Sequence, residues 1–476
     1  MTAGYAIVRI DPGEGYALPL PAQKRLHVTA ERSERVKARL SDIRSHLQQP
    51  WLLSILFVAF IPVFPEYICP LLAICAFIAA YYDAKLHHRE LAVGTVGKLL
   101  LVYMAYMAFT VLFSKNPMNS IATVVMWLVA FLVYLSMTTV LNSRHRFDTA
   151  LFCMTLIAGL VGFIACVQYI LNAWLNIPVS FYFWQWIDEV VYRIFPMPLT
   201  LDIHEMRAAS TFNNPNVMAE YLIMMLPFAA YYAFSGRRTG TRILCRVCLL
   251  FALGGVLFSF SRGSYLALLV ILLVFCVANI RKWSIILFGG ISALALIPTS
   301  VYARLFSVGS MDNSITDRFR IWGIALQEIA KQPIFGSGPG VQNFWDILYS
   351  KGVAAPHTHN LVLQLLVEGG IIALVLMLLI GWKTFRGGYA MIRKQGESRT
   401  IGVVLIAFVG AFIMYGMVDF PLLCPKLVSI FMLVLGFSDC AAHLYLGHRV
   451  QALSGVLPIG PMPRIQAEGA LFSKSK

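Results

Sequence analysis

The chain has 476 residues, 59% of them hydrophobic and only 13% charged, and its mean hydropathy is +0.72. That balance excludes a soluble globular domain and leaves a polytopic membrane protein whose core is helix packed on helix. The formal net charge of +15 raises the question of a nucleic-acid partner, but 18 of the 38 Lys and Arg lie in short connections between apolar runs, so membrane topology accounts for much of the charge.

Residues 1–50 read as a cytoplasmic basic extension. Val36, Leu40, Ile43 and Leu47 recur at helical spacing with Arg and Lys between them, the pattern of a basic helix on a membrane surface; a solvated helix or disordered tail fits it equally. This stretch contains no apolar h-region, so no cleavable signal peptide is expected. Twelve apolar segments follow, near 51–64, 67–82, 94–113, 119–141, 150–172, 215–235, 242–260, 264–280, 283–300, 361–382, 400–419 and 424–445. Pro62, Pro65 and Pro70 interrupt the first two, which read as one broken hairpin. The predicted fold class is an all-α polytopic membrane protein of about 12 transmembrane helices. Its transmembrane domain covers 51–445, and 446–476 is a cytoplasmic tail of disordered character.

The connections 83–93, 142–149, 236–246, 281–282 and 383–400 hold fifteen Lys and Arg, against three in 114–118, 261–263 and 420–426. The positive-inside rule therefore puts both termini in the cytoplasm. Two longer loops, 173–214 and 301–360, fall on the outer face, and short amphipathic helices are expected in them. The first holds the interfacial aromatics Phe181 to Trp186 and ends in Arg207, Asn214-Pro215-Asn216. The second contains a predicted helix near 315–331, with Phe319, Trp322, Leu326 and Ile329 as its apolar face, followed by the turn Gly336-Ser-Gly-Pro-Gly340. That glycine run lacks the Lys-Ser/Thr ending of a phosphate-binding loop.

The second loop closes on His357-Thr358-His359-Asn360, where the chain enters an apolar run. Thr358 is the predicted N-cap, which places His359 in the first helical turn, where the helix dipole favours a neutral imidazole. Asn360, Gln364 and Glu368 form a polar stripe, with Glu368 roughly 13 Å deeper than His359 at 1.5 Å per residue. Taken singly, a histidine here anchors a helix at the headgroups, and an arginine snorkels or pairs with a neighbour. Arg207, Arg262, Arg318 and Arg320, however, gather on the same outer face as His357 and His359. Guanidinium binds phosphate oxygens bidentately and keeps its charge, so the set points to an anionic, lipid-anchored ligand. Neither Asp-x-Asp nor Gly-x-Ser-x-Gly occurs, and no Cys/His cluster suggests a metal.

The ordered set Arg207…Thr211-Phe212-x-Asn214-Pro215-Asn216, Ser261-Arg262-Gly263, Arg318…Trp322…Pro333…Gly336-x-Gly338 and His359-Asn360…Glu368-Gly369-Gly370 resembles the O-antigen ligase and Wzy-type polymerase superfamily. The resemblance covers roughly 94–440. It implies a metal-independent, inverting glycosyltransferase of the bacterial cytoplasmic membrane that needs no cofactor. Its donor would be an undecaprenyl-diphosphate-linked glycan, its acceptor a glycan or glycolipid hydroxyl, and polysaccharide-assembly proteins its possible partners. Carried onto this chain, Arg262 and Arg318 bind the diphosphate, His359 is the candidate base, and Arg207, Asn214 and Asn216 shape the site. Arg320, His357, Asn360, Gln364 and Glu368 complete the expected substrate-binding set. A transporter or flippase of lipid-linked glycans is the competing reading, and the concentration of polar groups on one face favours the enzyme.

Overall fold

The computed structural model describes residues 49–173, 175, 177, 207–234, 239–278, 313–448 and 451–452. The expected basic helix near 29–47, the apolar segment 283–300, most of loop 173–214, and residues 301–312 lie outside the described residues, as does the tail beyond 452. Thirteen helices are described: α1 (Pro50–Phe60), α2 (Cys69–Leu86), α3 (Thr95–Thr110), α4 (Pro117–Val140), α5 (Arg144–Ala173), α6 (Pro215–Phe234), α7 (Thr239–Phe258), α8 (Arg262–Ala278), α9 (Asn313–Lys331), α10 (Val341–Ser350), α11 (Leu361–Ile392), α12 (Glu397–Gly416) and α13 (Pro425–Leu446). Two-residue strands, Ala92–Val93 and Gln451–Ala452, pair antiparallel.

Among the described residues, nine helices are long and apolar enough to cross a membrane, and α1 and α8 are shorter apolar helices. The protein is an all-α, multi-pass membrane protein. Eleven of the twelve expected apolar segments are helices here, and the remaining one is 283–300. The first two form the expected hairpin, with Pro62 and Pro65 in its turn. At 1.5 Å per residue the eleven-residue α1 is roughly 16 Å long, about half a hydrocarbon thickness.

α6 and α13 form the centre, with 94% and 89% of their apolar windows buried. The other helices pack around them, α5 on α7 and α11 on α12 most extensively. Small residues permit that approach, because lipid offers no hydrophobic drive between helices. A Cβ on Gly162 would sit 2.3 Å from the Phe251 carbonyl, and one on Gly402 would sit 2.4 Å from the Gly388 carbonyl. Cys245 and Cys248, a Cys-x-x-Cys spacing in the sequence, are both buried within α7, and Cys248 packs on Gly159.

Two buried carboxylates of the bundle are firmly engaged. Asp439 of α13 accepts from the Val96 and Gly97 N–H groups and from the Tyr134 hydroxyl, so a carboxylate from another helix caps α3. At the same end of the bundle Asp83 pairs with Arg89 and Arg146, at 2.6 and 2.7 Å.

The other end carries α9 and α10, which pack on the start of α11 around a separate apolar cluster. Here the expected face of α9 is corrected. Ile321, Ile324 and Ala325 are buried, Trp322 and Ile329 are half-buried, and Phe319 and Leu326 are exposed. The aliphatic stripe lies one residue out of phase with the aromatic one, and Phe344, Leu348 and Val367 offer it a better-matched surface.

Candidate functional site

The site is built on the entry to α11. Asn360, not Thr358, is the N-cap: its backbone is extended and its side chain accepts from the Leu363 N–H at 3.0 Å. His359 therefore lies before the helix, not in its first turn, and its backbone is left-handed with φ of 51°. A non-glycine residue in this region is strained and persists only where its surroundings hold it. Those restraints are visible. The Thr358 N–H donates to Gln364 Oε1, the Thr358 carbonyl accepts from Trp322 Nε1, and Asn360 Nδ2 donates to the Met417 carbonyl.

Held this way, the His359 ring meets Asp419 in the turn between α12 and α13. His359 Nδ1 lies 3.1 Å from Asp419 Oδ1. A carboxylate only accepts, so Nδ1 carries a proton, and in the neutral ring Nε2 is the nitrogen with the lone pair. Burial alone would raise the Asp419 carboxyl. The hydrogen bond and charge of His359, the His357 ring and the Phe420 N–H outweigh it and hold Asp419 below the ordinary carboxylate range. His357 lies beside His359 with ring centroids 4.2 Å apart and planes tilted by 55°, and its Nδ1 accepts from the His359 N–H at 3.1 Å. Burial, then His359, then the Arg318 guanidinium push the His357 imidazole down to about 3, so it is neutral near pH 7.

His357, His359 and Asp419 are also donor types for a transition metal, with ligand atoms within 4.8 Å of one another. The bond from the His359 N–H leaves the His357 proton on Nε2, the atom 3.8 Å from Asp419. Both rings thus present N–H to one carboxylate, and ligation through His357 Nε2 would require that bond to be given up.

Arg318 lies on α9, which packs against α11, and its charge acts on His357. Arg262 opens α8 directly after the turn from α7. Its neighbour Ser261 hydrogen-bonds Tyr415, and Gly263 packs against Val418 so closely that a Cβ would lie 2.5 Å from that side chain. The turn carrying Arg262 is thus fitted to the residues preceding Asp419.

Arg207, Asn214 and Asn216 form a brace behind that turn. Arg207 Nε donates to the Ser259 carbonyl at 2.7 Å, and its Nη2 donates to Asn216 Oδ1. Asn214 precedes Pro215 and accepts from the Asn216 N–H, a start signal for α6. Lys426 donates to the Thr211 carbonyl and fixes the same segment to α13. Gln364 and Glu368 run inward as expected, joined by a 2.8 Å hydrogen bond, but they support the entry loop and lie behind the histidines. Arg320 is not brought to the cluster; its Nη2 donates to the Lys351 carbonyl at the end of α10.

Sequence reasoning missed Asp419 and Glu220. Asp419 lies sixty residues beyond His359 on a different turn, so no local period connects them. Its signal was an acidic residue at a span end on the arginine-rich face. Glu220 is buried on α6, one turn beyond Asn216, and it bonds Tyr415 through one carboxyl oxygen while Oε2 has no protein partner among the described residues.

The geometry defines a multi-pass membrane protein with a carboxylate-oriented histidine at one end of its bundle, where the elements that carry Arg262 and Arg318 also pack. Residues 247–378, which contain Arg262, Arg318 and His359, match the family model Wzy_C, O-antigen ligase. The chain is also 27% identical over 189 residues to the exopolysaccharide production protein ExoQ of Rhizobium meliloti (strain 1021). That match covers 37% of this chain and 41% of the relative, so the chain spans about two fifths of the length of that curated protein. Both findings support the O-antigen ligase and Wzy-type superfamily, the one the motifs resemble.

Proposed function

We propose that the protein is a glycosyltransferase of polysaccharide assembly, moving glycan from an undecaprenyl-diphosphate-linked donor to an acceptor hydroxyl at the outer face of the bacterial cytoplasmic membrane. The observation that carries this reading is the His359–Asp419 pair, with the turn of Arg262 fitted to the residues before Asp419. His359 Nε2 takes the proton from the acceptor hydroxyl, while Asp419 fixes the tautomer and stabilises the imidazolium that forms. The acceptor oxygen bonds to the anomeric carbon as the bond from that carbon to the diphosphate oxygen breaks. Undecaprenyl diphosphate departs with the electron pair, and the two arginines stabilise its charge. A single displacement of this kind inverts the anomeric centre. The chemistry gives a metal no obligatory part, since guanidinium groups neutralise the leaving group.

The buried carboxyls Glu220, Glu368 and Asp439 lend some support to the flippase reading, as transporters place charged groups within spans. Asp439 caps a helix, and the other two lie near the end that carries the histidines.

The test is turnover of a lipid-diphosphate-linked glycan by the purified protein. His359→Gln keeps a hydrogen-bond donor but cannot act as a base, and it should lower single-turnover rate on the order of 100-fold or more with donor affinity little changed. Near-normal turnover in His359→Gln would remove the base role. Undiminished glycan translocation in that variant, with no transfer in the wild type, would favour the flippase.

A further inference from the structure

Trp322 stands apart from the mechanism above, yet it bonds the residue next to strained His359. It lies on α9, one helical turn beyond Arg318, and its Nε1–H donates to the Thr358 carbonyl at 2.9 Å. That carbonyl belongs to the peptide that leads into His359, where φ is 51°. The Thr358 N–H is held from the opposite side by Gln364 of α11 at 3.0 Å. The residue before the strained one is thus gripped by two helices, one on each of its flanking peptide groups. Release of either grip allows His359 to relax toward ordinary backbone angles, which swings its ring away from Asp419.

We propose that Trp322 is a positioning residue that holds His359 against Asp419 and couples it to Arg318 on the same helix. This rests on the reading of His359 as the base. The consequence is functional as well as structural. α9 carries one arginine expected to meet the donor diphosphate, and through the indole N–H it also grips the loop that carries the base. The helix that presents Arg318 therefore also fixes the loop that carries the base. The half-buried indole meets the exposed Phe319 ring edge-on at 5.6 Å and packs against the apolar cluster of α9, α10 and α11, so its packing must be kept while the bond is removed. Its hydrogen bond is the specific contact.

Two variants separate the bond from the packing: Trp322→Phe, and replacement of Trp322 by benzothienylalanine, which keeps the shape of indole and removes the N–H. Both should lower single-turnover rate roughly ten- to a hundredfold, the scale of a misplacement near 1 Å, with donor affinity and melting temperature close to wild type. Carbethoxylation of His359 by diethyl pyrocarbonate, followed by mass spectrometry, needs no turnover. It should become several-fold faster in both variants as the ring loosens from Asp419. Wild-type rates of turnover and of His359 modification in the benzothienyl variant would overturn the proposal, as would an equal fall in donor affinity and turnover. Failure of the base reading is seen separately, in His359→Gln alone, and leaves the modification experiment intact.

Discussion

His357 and His359 are two residues apart and have opposite duties. His359 is about a quarter exposed with a carboxylate on Nδ1, which suits a group that must exchange a proton with a substrate. His357 is buried and held neutral, so it serves as a fixed acceptor for the His359 backbone. This difference carries a pH prediction. In the unfolded chain an imidazole binds its proton near pH 6.5, whereas folded His357 does so only at about 3. The unfolded state therefore binds more protons between those values. The stability contribution of neutral His357 is complete above about pH 6.5 and is lost as pH falls toward 3. Melting curves of wild type and His357→Gln, recorded from pH 8 to pH 4, should draw together as pH drops; a constant gap would show that His357 is not held neutral. Asp419→Asn is a second test at this scale. Asparagine can donate to Nδ1 and turn the tautomer, so turnover should fall by a factor on the order of a hundred or more, with the protein still folded. Activity should also survive EDTA, and loss that divalent metal restores would displace the arginines from first place.

At the scale of elements, the fold of the site depends on a break. The apolar run beginning at Leu361 reads as one helix, but Gly370 has φ of 64° and divides α11 in two. The turn after α9 fills the break. Ser337 and Gly338 donate to the Val367 and Glu368 carbonyls, Ile371 donates to the Pro333 carbonyl, and Tyr106 donates to the Gly369 carbonyl. Backbone groups inside a membrane must find partners, and here the glycine-rich turn supplies them. Gly370 allows this because a Cβ there would lie 2.1 Å from the Ile334 carbonyl. Gly370→Ala should cost on the order of 1–3 kcal/mol from backbone conformation, with the clash added, and should reduce turnover along with melting temperature. An unaltered melting curve would mean the break is not strained by a side chain. The same elements show what a sequence can convey. Gly336 to Gly340 was legible as a turn, because glycine there has few other uses. The kink was not, because Glu368-Gly-Gly370 fits a membrane helix as well as a break. Thr358 was a sound cap by type, but Asn360 lies two residues nearer the apolar run and captured the role. On α9 the aromatic and aliphatic stripes were both periodic, and only the partner surface of α10 and α11 chooses between them.

For the whole molecule, the question is which end of the bundle faces out, because the proposed donor depends on it. The distribution of charge is the argument. The connections carrying Asp83, Arg89 and Arg146, and the one between α11 and α12 with Arg393, Lys394 and Arg399, all lie at the end opposite the histidines. That end is rich in Lys and Arg, as cytoplasmic ends are. The positions of the apolar helices were readable from hydropathy, since it acts over whole segments. The meeting of His359 with Asp419 was not, since it depends on how α11 and α12 pack. Two exposed positions report on orientation: Ser350 at the end of α10, and Gln395 between α11 and α12. In a cysteine-free background, Ser350→Cys should react with a membrane-impermeant maleimide in intact cells. Gln395→Cys should react only after permeabilisation. Ser398 is a poorer reporter because it is buried against the Met391 carbonyl. The reverse labelling pattern would turn the His359–Asp419 pair toward the cytoplasm. Lipid-linked glycans displayed on the outer leaflet could not then reach it, and the arginines would have to serve a cytoplasmic phosphate ligand instead.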